Sequence, residues 1–313
     1  MKQKIFTILL IAAAGLSACK KDTVDQNIKE YDETQIQNYI AANSLTGFNR
    51  DTVGGDTTGM YYKIINGGTG APLEYSDKIS FVYTLKSFDG KYTSSDTILN
   101  HFNEYVGHIE QANLPKGLQI AIHNLLKYRD GSMRLLIPSR LAYGQRGFGT
   151  GSISNANSRI AGNQSLDYYI HVINDQQVYD DLVIRNYMTA NNLTGYTKTA
   201  SGLYYKVITP GTGNVGEIGP LSTVTTTYTG ALLNGTFFDK SAETTAATFS
   251  PGSLNGIEGL VPGVREGLKG HAAKGTSISL ILPSTLGYAS SPPTGIPVFA
   301  PTRFEFQITD VTN

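Results

Sequence analysis

The sequence contains no tryptophan, a single cysteine and only five histidines among its 313 residues. One cysteine cannot form a disulfide within the chain, and the scattered histidines form no cluster of the kind that holds zinc. The 25 basic and 25 acidic residues give a formal net charge of zero, which argues against nucleic-acid binding and a basic membrane-binding surface. Beyond the first residues, no hydrophobic run is long enough to span a bilayer.

The first residues, 1–18, have the composition of a secretory signal peptide. Lys2 and Lys4 precede an apolar run from Ile5 to Gly15, which is too short for a membrane span. The following Leu-Ser-Ala-Cys resembles the bacterial lipobox, which implies signal cleavage, lipidation of Cys19 and anchoring in the bacterial cell envelope. The alternative is a soluble secreted protein whose signal ends in cysteine. Residues 19–31 are polar and charged, which predicts a flexible tether.

Two parts of the chain are nearly the same. The run Ile36–Gly47 reappears as Ile184–Gly195 at an offset of 148 residues, and Leu136–Ser139 reappears as Ile281–Ser284 at an offset of 145. This spacing predicts a duplicated domain, because solenoid repeats have periods of roughly 20 to 50 residues. The predicted boundaries are 32–175 for the first domain, 176–201 for a helix and linker, and 202–313 for the second domain.

Each copy is predicted to begin with a short amphipathic helix. In the first, Asp32 is the expected N-cap, Ile36, Tyr39 and Ile40 share one face, and Gly47 is the expected stop. The second copy repeats this pattern with Ile184, Tyr187, Met188 and Gly195. We expect each helix to pack on its own domain as a linker helix.

Runs rich in aromatic and β-branched residues predict strands after each helix. The first copy has them at Met60–Ile65, Ile79–Tyr83, Met133–Ile137 and Asp167–Ile173. The second copy has them at Leu203–Ile208, Val224–Tyr228, Ser277–Ile281 and Arg303–Thr309. One helical stretch lies between the middle strands of each copy, Gly117–Lys127 and Pro262–Lys269. This order predicts an α+β fold, a twisted antiparallel sheet wrapped around one short helix, rather than a Rossmann-type fold.

An ordered set of motifs runs through the second copy. They are Tyr228-Thr229-Gly230, Phe237-Phe238-Asp239, Val261-Pro262-Gly263, Pro283 to Tyr288, and Phe304-Glu305-Phe306. In this order, from Gly202 to the C-terminus, they resemble the FK506-binding-protein (FKBP) family of peptidyl-prolyl cis-trans isomerases. The resemblance implies tandem FKBP-like domains that turn Xaa-Pro bonds in polypeptide substrates, a reaction that needs no nucleophile, metal or cofactor.

The resemblance also implies a dry pocket in the second copy. The positions that carry over are Tyr228, Phe238, Asp239, Leu260, Val261, Val264, Tyr288, Ile296 and Phe304. By this likeness the Val261 amide and the Tyr288 hydroxyl hold substrate carbonyls and Asp239 supplies a polar contact. Phe238, Val261, Ile296 and Phe304 are the implied walls. The alternative for these aromatic residues is ordinary core packing.

The second copy departs from the family pattern at three places. Val264 occupies the floor, where the family has an aromatic residue, usually tryptophan. In Leu286-Gly287-Tyr288-Ala289 the glycine precedes the tyrosine, and Asn255–Gly259 resembles an insertion. We therefore expect a wider, shallower pocket with reduced isomerase activity and weak binding of the family's macrolide inhibitors.

The first copy keeps several of these motif positions but lacks some of the side chains that the resemblance places in the pocket. The positions that match are Tyr83-Thr84, Leu141 to Gly144, Ile160 and Tyr168. Tyr92-Thr93-Ser94 replaces the Phe-Asp pair, Ala121 or a neighbour falls at the floor, and Gly147–Asn157 is a long loop. These changes predict a degenerate first domain. The chain is thus predicted to be an envelope lipoprotein that helps exported proteins fold, with isomerase activity mainly in its second domain. The alternative is a non-catalytic module that binds extended chain segments or a partner lipoprotein.

Overall fold

The computed structural model describes residues 27–53, 58–150, 158–242, 245–250 and 256–313. Cys19 and the predicted signal peptide lie outside these residues, as do part of the 147–157 loop and Asn255. Within the described part of the chain, no helix is long and apolar enough to cross a membrane. The same residues contain no group of three His, Cys, Asp or Glu side chains placed to hold a metal ion.

The first sheet is antiparallel and is preceded by helix α1, Ile28–Ala42. Its seven strands are β1 Asn49–Arg50, β2 Tyr61–Asn66, β3 Lys78–Ser87, β4 Thr93–Ser94, β5 His101–Tyr105, β6 Ser132–Ile137 and β9 Leu166–Ile173. Helix α2, Lys116–Ala121, continues as a π-helical turn, Ile122–Leu126. A separate hairpin pairs β7, Phe148–Gly149, with β8, Arg159–Ile160. The strand order is β1-β2-β6-β9-β3-β4, and β5 also pairs with β3.

The second sheet repeats this arrangement after helix α3, Gln176–Ala190. Its strands are β10 Thr197–Lys198, β11 Tyr204–Thr209, β12 Thr223–Leu232, β13 Phe237–Lys240, β14 Ala247–Phe249, β15 Ser277–Leu282 and β16 Thr302–Thr312. Helix α4 covers Pro262–His271. The order β10-β11-β15-β16-β12-β13, with β14 pairing β12, matches the first sheet position by position.

These two sheets confirm the predicted α+β fold with two copies of one architecture. Each of the eight predicted strands is present, with its ends shifted by a few residues at most. Each sheet packs its inner face on the central helix, because alternate residues of the strands are apolar and buried. Leu118 and Ile122 fill the first core, and Val264 and Leu268 fill the second.

A buried aspartate fixes each leading helix to its own domain, as the linker-helix prediction expected. Asp32 accepts hydrogen bonds from the Ser139 amide and hydroxyl at 3.1 and 2.6 Å. Asp180 accepts the same pair from Ser284 at 2.7 and 2.6 Å. Arg140 pairs with Asp32 at 3.1 Å, whereas Thr285 follows Ser284 in the second domain.

Three predictions about the first helix were wrong. Residues 28–31, assigned to the flexible tether, form its first turn, and Asn27 is its N-cap, accepting from the Lys29 amide at 3.1 Å. Asp32 is therefore inside the helix and fully buried rather than its cap. The helix ends at Ala42 instead of at Gly47, because Asn43 hydrogen-bonds back to Tyr39 and Ser44 is left-handed.

Candidate functional site

The central helix of the second domain lies unusually close to its sheet. A side-chain carbon on Gly263 would come within 2.6 Å of Leu282 Cγ, and one on Gly267 within 2.6 Å of Leu280 Cδ1. Since no real Cβ tolerates such contacts, glycine at both positions is what lets the helix pack this closely. Val261 is the helix N-cap and Pro262 its first residue, a favoured place for proline. The start of the helix thereby faces the inner side of strands β12 and β16.

A cavity of about 400 Å³ lies between this helix start and the sheet. The residues lining it are Tyr228, Asp239, Ala247, Thr248, Phe249, Gly259, Leu260, Val261, Val264, Tyr288, Phe304 and Phe306. Aromatic and aliphatic side chains outnumber polar ones in this lining, but polar atoms make up about half of its surface. The polar side-chain groups are the Tyr228 and Tyr288 phenols, the Asp239 carboxylate and the Thr248 hydroxyl. A concave site that combines apolar walls with a few convergent polar groups is the usual form of a ligand pocket.

Two predicted site residues, Phe238 and Ile296, are not among the described residues that line this cavity. The Phe238 ring stands edge-on to Phe304 at 5.6 Å and to Tyr288 at 6.0 Å between centroids, so it contacts the cavity through these two rings. Ile296 packs instead in a separate apolar cluster with Leu232 and Ala300. The other seven predicted positions all border the cavity.

The position of Phe238 depends on Gly230 on the neighbouring strand. A side-chain carbon on Gly230 would lie 2.8 Å from Phe238 Cε2 and 2.9 Å from Phe304 Cε1. The missing side chain lets both rings lie against the strand. The Tyr228-Thr229-Gly230 motif gives no sign of this role for Gly230.

Tyr228 and Asp239 form the polar edge of the cavity. The Tyr228 hydroxyl donates a hydrogen bond to Asp239 Oδ2 at 2.9 Å. Burial, reinforced by the neighbouring carboxylate, raises the pKa of Tyr228 to about 12. Burial and then the Asp239 charge also raise the pKa of Tyr288. Both phenols therefore stay protonated at neutral pH and can donate hydrogen bonds.

Phe249 and Phe306 line the cavity and were missed as site residues. Their rings lie 5.9 and 5.6 Å from that of Tyr228. Phe306 could have been found, because residues two apart on a strand share a face and Phe304 was already placed inside. Phe249 belongs to a strand of three residues with no clear alternation, which gives no comparable signal.

Val264 occupies the floor position and is almost completely buried, at 1% exposure. Its short side chain packs into the core of the second domain and leaves the cavity without an aromatic base. Tyr288 reaches the cavity from a turn in which Ala289 has a left-handed φ of 47°. At the equivalent place in the first domain the residue is glycine, Gly144, with φ 56°. In the second domain an alanine therefore occupies a left-handed backbone conformation, which is unfavourable for a residue with a side chain.

At the corresponding place in the first domain, larger side chains stand where the second domain has glycine and phenylalanine. Leu85 pairs with Tyr168 across the sheet as Gly230 pairs with Phe304, and Leu85 and Tyr168 are both buried. The Tyr143 hydroxyl donates to the Asn113 carbonyl at 3.1 Å, and its ring stacks on Phe148 at 4.6 Å. The tyrosine that matches Tyr288 is thus already engaged within the chain.

A larger groove of about 670 Å³ lies along the second sheet. Its lining includes Thr227, Thr229, Ser277, Glu305 and Gln307, which alternate along their strands with residues of the core and so face the outer side of the sheet. Ile208, Phe237 and Ala242 also line this outer groove, and apolar atoms make up most of its surface. Seven of the nine predicted pocket residues border the inner cavity, and of these only Tyr228 also lines the outer groove.

Comparison with known proteins decides the family of this site. Residues 216–309 match the FKBP-type peptidyl-prolyl cis-trans isomerase family. The second domain is an FKBP-type domain. The matched residues contain the whole cavity lining, from Tyr228 to Phe306. The first domain repeats the strand order of this FKBP-type domain outside the matched segment.

Curated isomerases that are similar to this chain come from bacteria and from an animal. The protein "FKBP-type peptidyl-prolyl cis-trans isomerase FkpA" of Buchnera aphidicola subsp. Schizaphis graminum is 35% identical over 124 residues, which are 39% of this chain and 46% of the relative. "Peptidyl-prolyl cis-trans isomerase FKBP9" of Bos taurus is 26% identical over 242 residues, 77% of this chain and 36% of the relative. The crystal structure of FkpA from Escherichia coli is 28% identical, covering 44% of this chain and 61% of its own, with a TM-score of 0.37. The chain spans about half the length of the FkpA relatives it matches.

Proposed function

We propose that the second domain catalyses cis-trans isomerisation of Xaa-Pro bonds in polypeptide chains. The observation that carries this proposal is the aromatic cavity between Val261, Tyr288 and Phe304, which lies within the segment that matches the isomerase family. The likeness to bacterial FkpA proteins supports the same activity and a role as a folding helper.

The physical problem is the resonance of the peptide bond. Its rotational barrier is about 18–20 kcal/mol, which makes uncatalysed isomerisation at proline take on the order of 10–100 s at room temperature. In the twisted transition state the bond loses resonance and becomes less polar. A pocket that excludes water favours this state relative to the planar one, and fixed donors can hold the twisted carbonyl.

Most of the predicted residues have a place in this proposal. Phe304, Val261 and Leu260 supply apolar surface for the proline ring, and Phe238 keeps the rings of Phe304 and Tyr288 in place. The Tyr288 hydroxyl and the Val261 amide are the proposed donors to substrate carbonyls. Asp239, held by Tyr228, supplies the polar contact at the cavity edge.

The short Val264 side chain supports reduced activity within this proposal. Without an aromatic floor, a bound proline ring would lose dispersion contacts that its twisted state needs. The first domain is proposed to be inactive, because Leu85 stands where the second domain has Gly230 and the Tyr143 hydroxyl is already bonded within the chain. The whole chain would then have one catalytic domain and one domain with another role.

A test of the proposed activity uses the full chain and a substrate whose refolding is limited by proline isomerisation. Wild-type protein should accelerate the slow phase, and Phe238→Ala should reduce kcat/KM about 5- to 150-fold, the equivalent of about 1–3 kcal/mol. Leu99→Ala, on an exposed side chain of the first domain, is the matched control. Melting temperatures of both variants establish that they are folded. Wild type without any effect on the slow phase would refute the activity.

A non-catalytic binding role is the second candidate, favoured by the Val264 floor and by the strongly exposed Phe237 beside the outer groove. In this case the protein would slow aggregation of an unfolded client without changing the rate of the proline-limited phase. Measuring light scattering and refolding rate on the same client separates the two roles. Phe237→Ser should reduce only the aggregation effect.

We also propose that the protein is a lipoprotein of the bacterial envelope, anchored through Cys19 in the inner or outer membrane. The proposal rests on the Leu-Ser-Ala-Cys sequence after the apolar run. Two or three acyl chains would anchor it firmly, since each buried methylene contributes about 0.8 kcal/mol. Labelling with a fatty-acid analogue should mark wild type and not Cys19→Ala. An unlabelled wild type would eliminate the anchor.

The proposed domain boundaries divide the chain at 175 and 202. The fragment 198–313 contains the second sheet except for Thr197 of β10, together with the central helix, so we expect it to unfold cooperatively by itself. The fragment 176–313, which adds helix α3, should melt at a higher temperature, because the buried Asp180 then holds the turn at Ser284. A shorter fragment without a cooperative transition would move the boundary to the start of α3.

A further inference from the structure

A turn of the first domain, residues 96–101, lies against the second domain beside its cavity. Ile98 is half-buried and packs against the apolar cluster of Leu232, Ile296 and Ala300. Phe238 and Tyr288 pack against this same cluster from the cavity side. One side chain of the first domain therefore supports the residues that stand behind the proposed site.

Polar and aromatic contacts fix this turn on the second domain. Asn234 Nδ2 donates to Asp96 Oδ2 at 2.6 Å. The His101 ring faces Phe299 at 5.5 Å between centroids, and its Nε2 lies 2.5 Å from the Ser80 hydroxyl. These contacts flank Ile98 on both sides and define where it meets the second domain.

The turn is itself braced, so that Ile98 projects from a fixed backbone. The Ile98 amide donates to Asp96 Oδ1 at 2.8 Å, and the Asn100 amide donates to the Asp96 carbonyl at 2.9 Å. Asn100 also exchanges hydrogen bonds with Ser94. An Asp side chain that caps the two following amides is a recognised way to stabilise a turn.

The supported segment, residues 293–300, is an irregular stretch between Tyr288 and strand β16. Its backbone hydrogen bonds include Ile296 to the Pro293 carbonyl at 3.2 Å and Phe299 to the Ala289 carbonyl at 2.8 Å. Phe299 has a left-handed φ of 50°, a conformation that costs free energy in a residue with a side chain. Ile296 is nonetheless only 7% exposed, and Ile98 is among the side chains that pack against its cluster.

We propose that Ile98 is a positioning residue for the site of the second domain. By packing Ile98 against the cluster of Leu232, Ile296 and Ala300, the first domain holds residues 293–300 against Phe238 and Tyr288 and keeps the cavity in one shape. The inactive domain thus completes the site of the active one. The effect of Ile98 on substrate binding rests on the proposed isomerase function. Its effect on the stability of residues 293–300 does not, because that stability can be measured without an activity assay.

Hydrogen exchange of the full chain tests the support directly. In Ile98→Ala, the amides of Ile296 and Phe299 should exchange about tenfold faster than in wild type, because local opening of the segment becomes easier. Ile98→Val should restore most of the protection, and Leu99→Ala, whose side chain is 55% exposed, should leave it unchanged. Equal exchange rates in wild type and Ile98→Ala would overturn the inference.

Asn234→Ala provides a second variant that leaves the turn of the first domain intact. It removes the hydrogen bond to Asp96 from the other side of the contact, so faster exchange of the Phe299 amide is expected here too. Should Ile98→Ala lose its cooperative melting transition, this variant decides the question by the same readout.

Peptide kinetics test the positioning role. Ile98→Ala should raise KM for a Xaa-Pro peptide about three- to tenfold and change kcat less than twofold, because a looser segment weakens binding more than rotation of the bound peptide. Faster exchange with an unchanged KM would overturn the positioning role and leave a purely structural contact. An inactive wild type would refute the proposed function, and the exchange experiment would still decide whether Ile98 supports the segment.

Discussion

Gly230 and Phe238 lie so close that a side-chain carbon on the glycine would stand 2.8 Å from the Cε2 atom of the ring. In the first domain Leu85 takes the place of this glycine. A single position on the third strand of each sheet therefore differs between a residue that leaves room for the rings and one that carries a large side chain. The absence of a side chain at 230 is as much a part of the site as the aromatic rings.

Gly230→Ala should disturb the site more than it disturbs the fold. The added methyl group must displace the rings of Phe238 and Phe304, and such overpacking typically costs about 1–3 kcal/mol of unfolding free energy. We expect kcat/KM to fall at least about tenfold while the melting transition stays cooperative. Urea denaturation and a peptide isomerisation assay measure the two effects.

Gly270→Ala is the matched control, because a Cβ on this helical glycine meets no atom within 4 Å. It should leave activity unchanged and raise stability slightly. If Gly230→Ala proves as active as Gly270→Ala, the ring positions are not what limits catalysis.

Glycine precedes Tyr288 and alanine follows it, the reverse of the order in the first domain. This reversal predicts a stabilising double substitution. Ala289 has a left-handed φ, while Gly287 has φ −102° and ψ −119°, close to the values of Ala142 in the first domain. Ala289→Gly removes a cost of roughly 1–2 kcal/mol, partly offset by the greater freedom of glycine in the unfolded chain. Gly287→Ala adds a methyl group with only ordinary contacts, the nearest at 3.5 Å.

The pair should therefore stabilise the second domain by about 1 kcal/mol, read from urea denaturation. The reverse exchange in the first domain, Ala142→Gly with Gly144→Ala, should destabilise it by a similar amount. We expect the free energy of unfolding to rise in the second domain and to fall in the first. A change of the same sign in both domains would contradict the explanation from backbone conformation.

Asp180 predicts a pH dependence of stability in the second domain. Burial raises its pKa from 3.8 to about 6 in the folded protein. Above pH 6 the folded state holds an ionised, buried carboxylate, which costs stability. As the pH falls from about 7 to 4, the folded state takes up a proton that the unfolded state does not yet bind, so the free energy of unfolding rises. For a pKa that rises from 3.8 to about 6, the gain in the free energy of unfolding is about 2–3 kcal/mol. It stops once the unfolded carboxyl is also protonated.

Asp180→Asn should remove this rise, and the difference between wild type and variant isolates the effect of the one group. Thr285→Arg offers a second check, since Arg140 pairs with Asp32 at the equivalent place in the first domain. An added guanidinium should favour the ionised Asp180 and flatten the profile. Parallel pH profiles for wild type and Asp180→Asn would show that this carboxyl is not responsible.

The sequence was informative where a pattern repeats. Two copies of each apolar strand and of the Pro-Ser turn made the duplicated α+β fold predictable, since each copy supported the other. The start of helix α1 was not predictable from polarity, because Lys29 and Glu30 are as suitable for an exposed helical turn as for a tether. The burial of Asp32 depends on a hydrogen bond to Ser139, far away in the chain, which no local signal reveals.

The site was predictable as a set of residue types and less so as an arrangement. Seven of the nine predicted residues border the cavity, because the order of the motifs brings them to the inner face of one sheet. Phe238 stands edge-on behind two other rings, a matter of side-chain packing rather than of sequence spacing. Ile98 could not be foreseen, since it belongs to the other domain and reaches the site only through tertiary contact.

The central claim, that catalysis belongs to the second domain alone, is tested most directly by one pair of matched substitutions. Tyr288→Phe and Tyr143→Phe each remove one hydroxyl from equivalent turns of the full chain, and a proline-limited refolding assay reports the activity of both variants. Tyr288→Phe should lower kcat/KM by about 5- to 150-fold, the loss expected for one donor to the twisted carbonyl. Tyr143→Phe should stay within about twofold of wild type, since its hydroxyl is bonded to Asn113 within the chain. A loss of activity in Tyr143→Phe with Tyr288→Phe unaffected would contradict the account and assign the catalysis to the first domain.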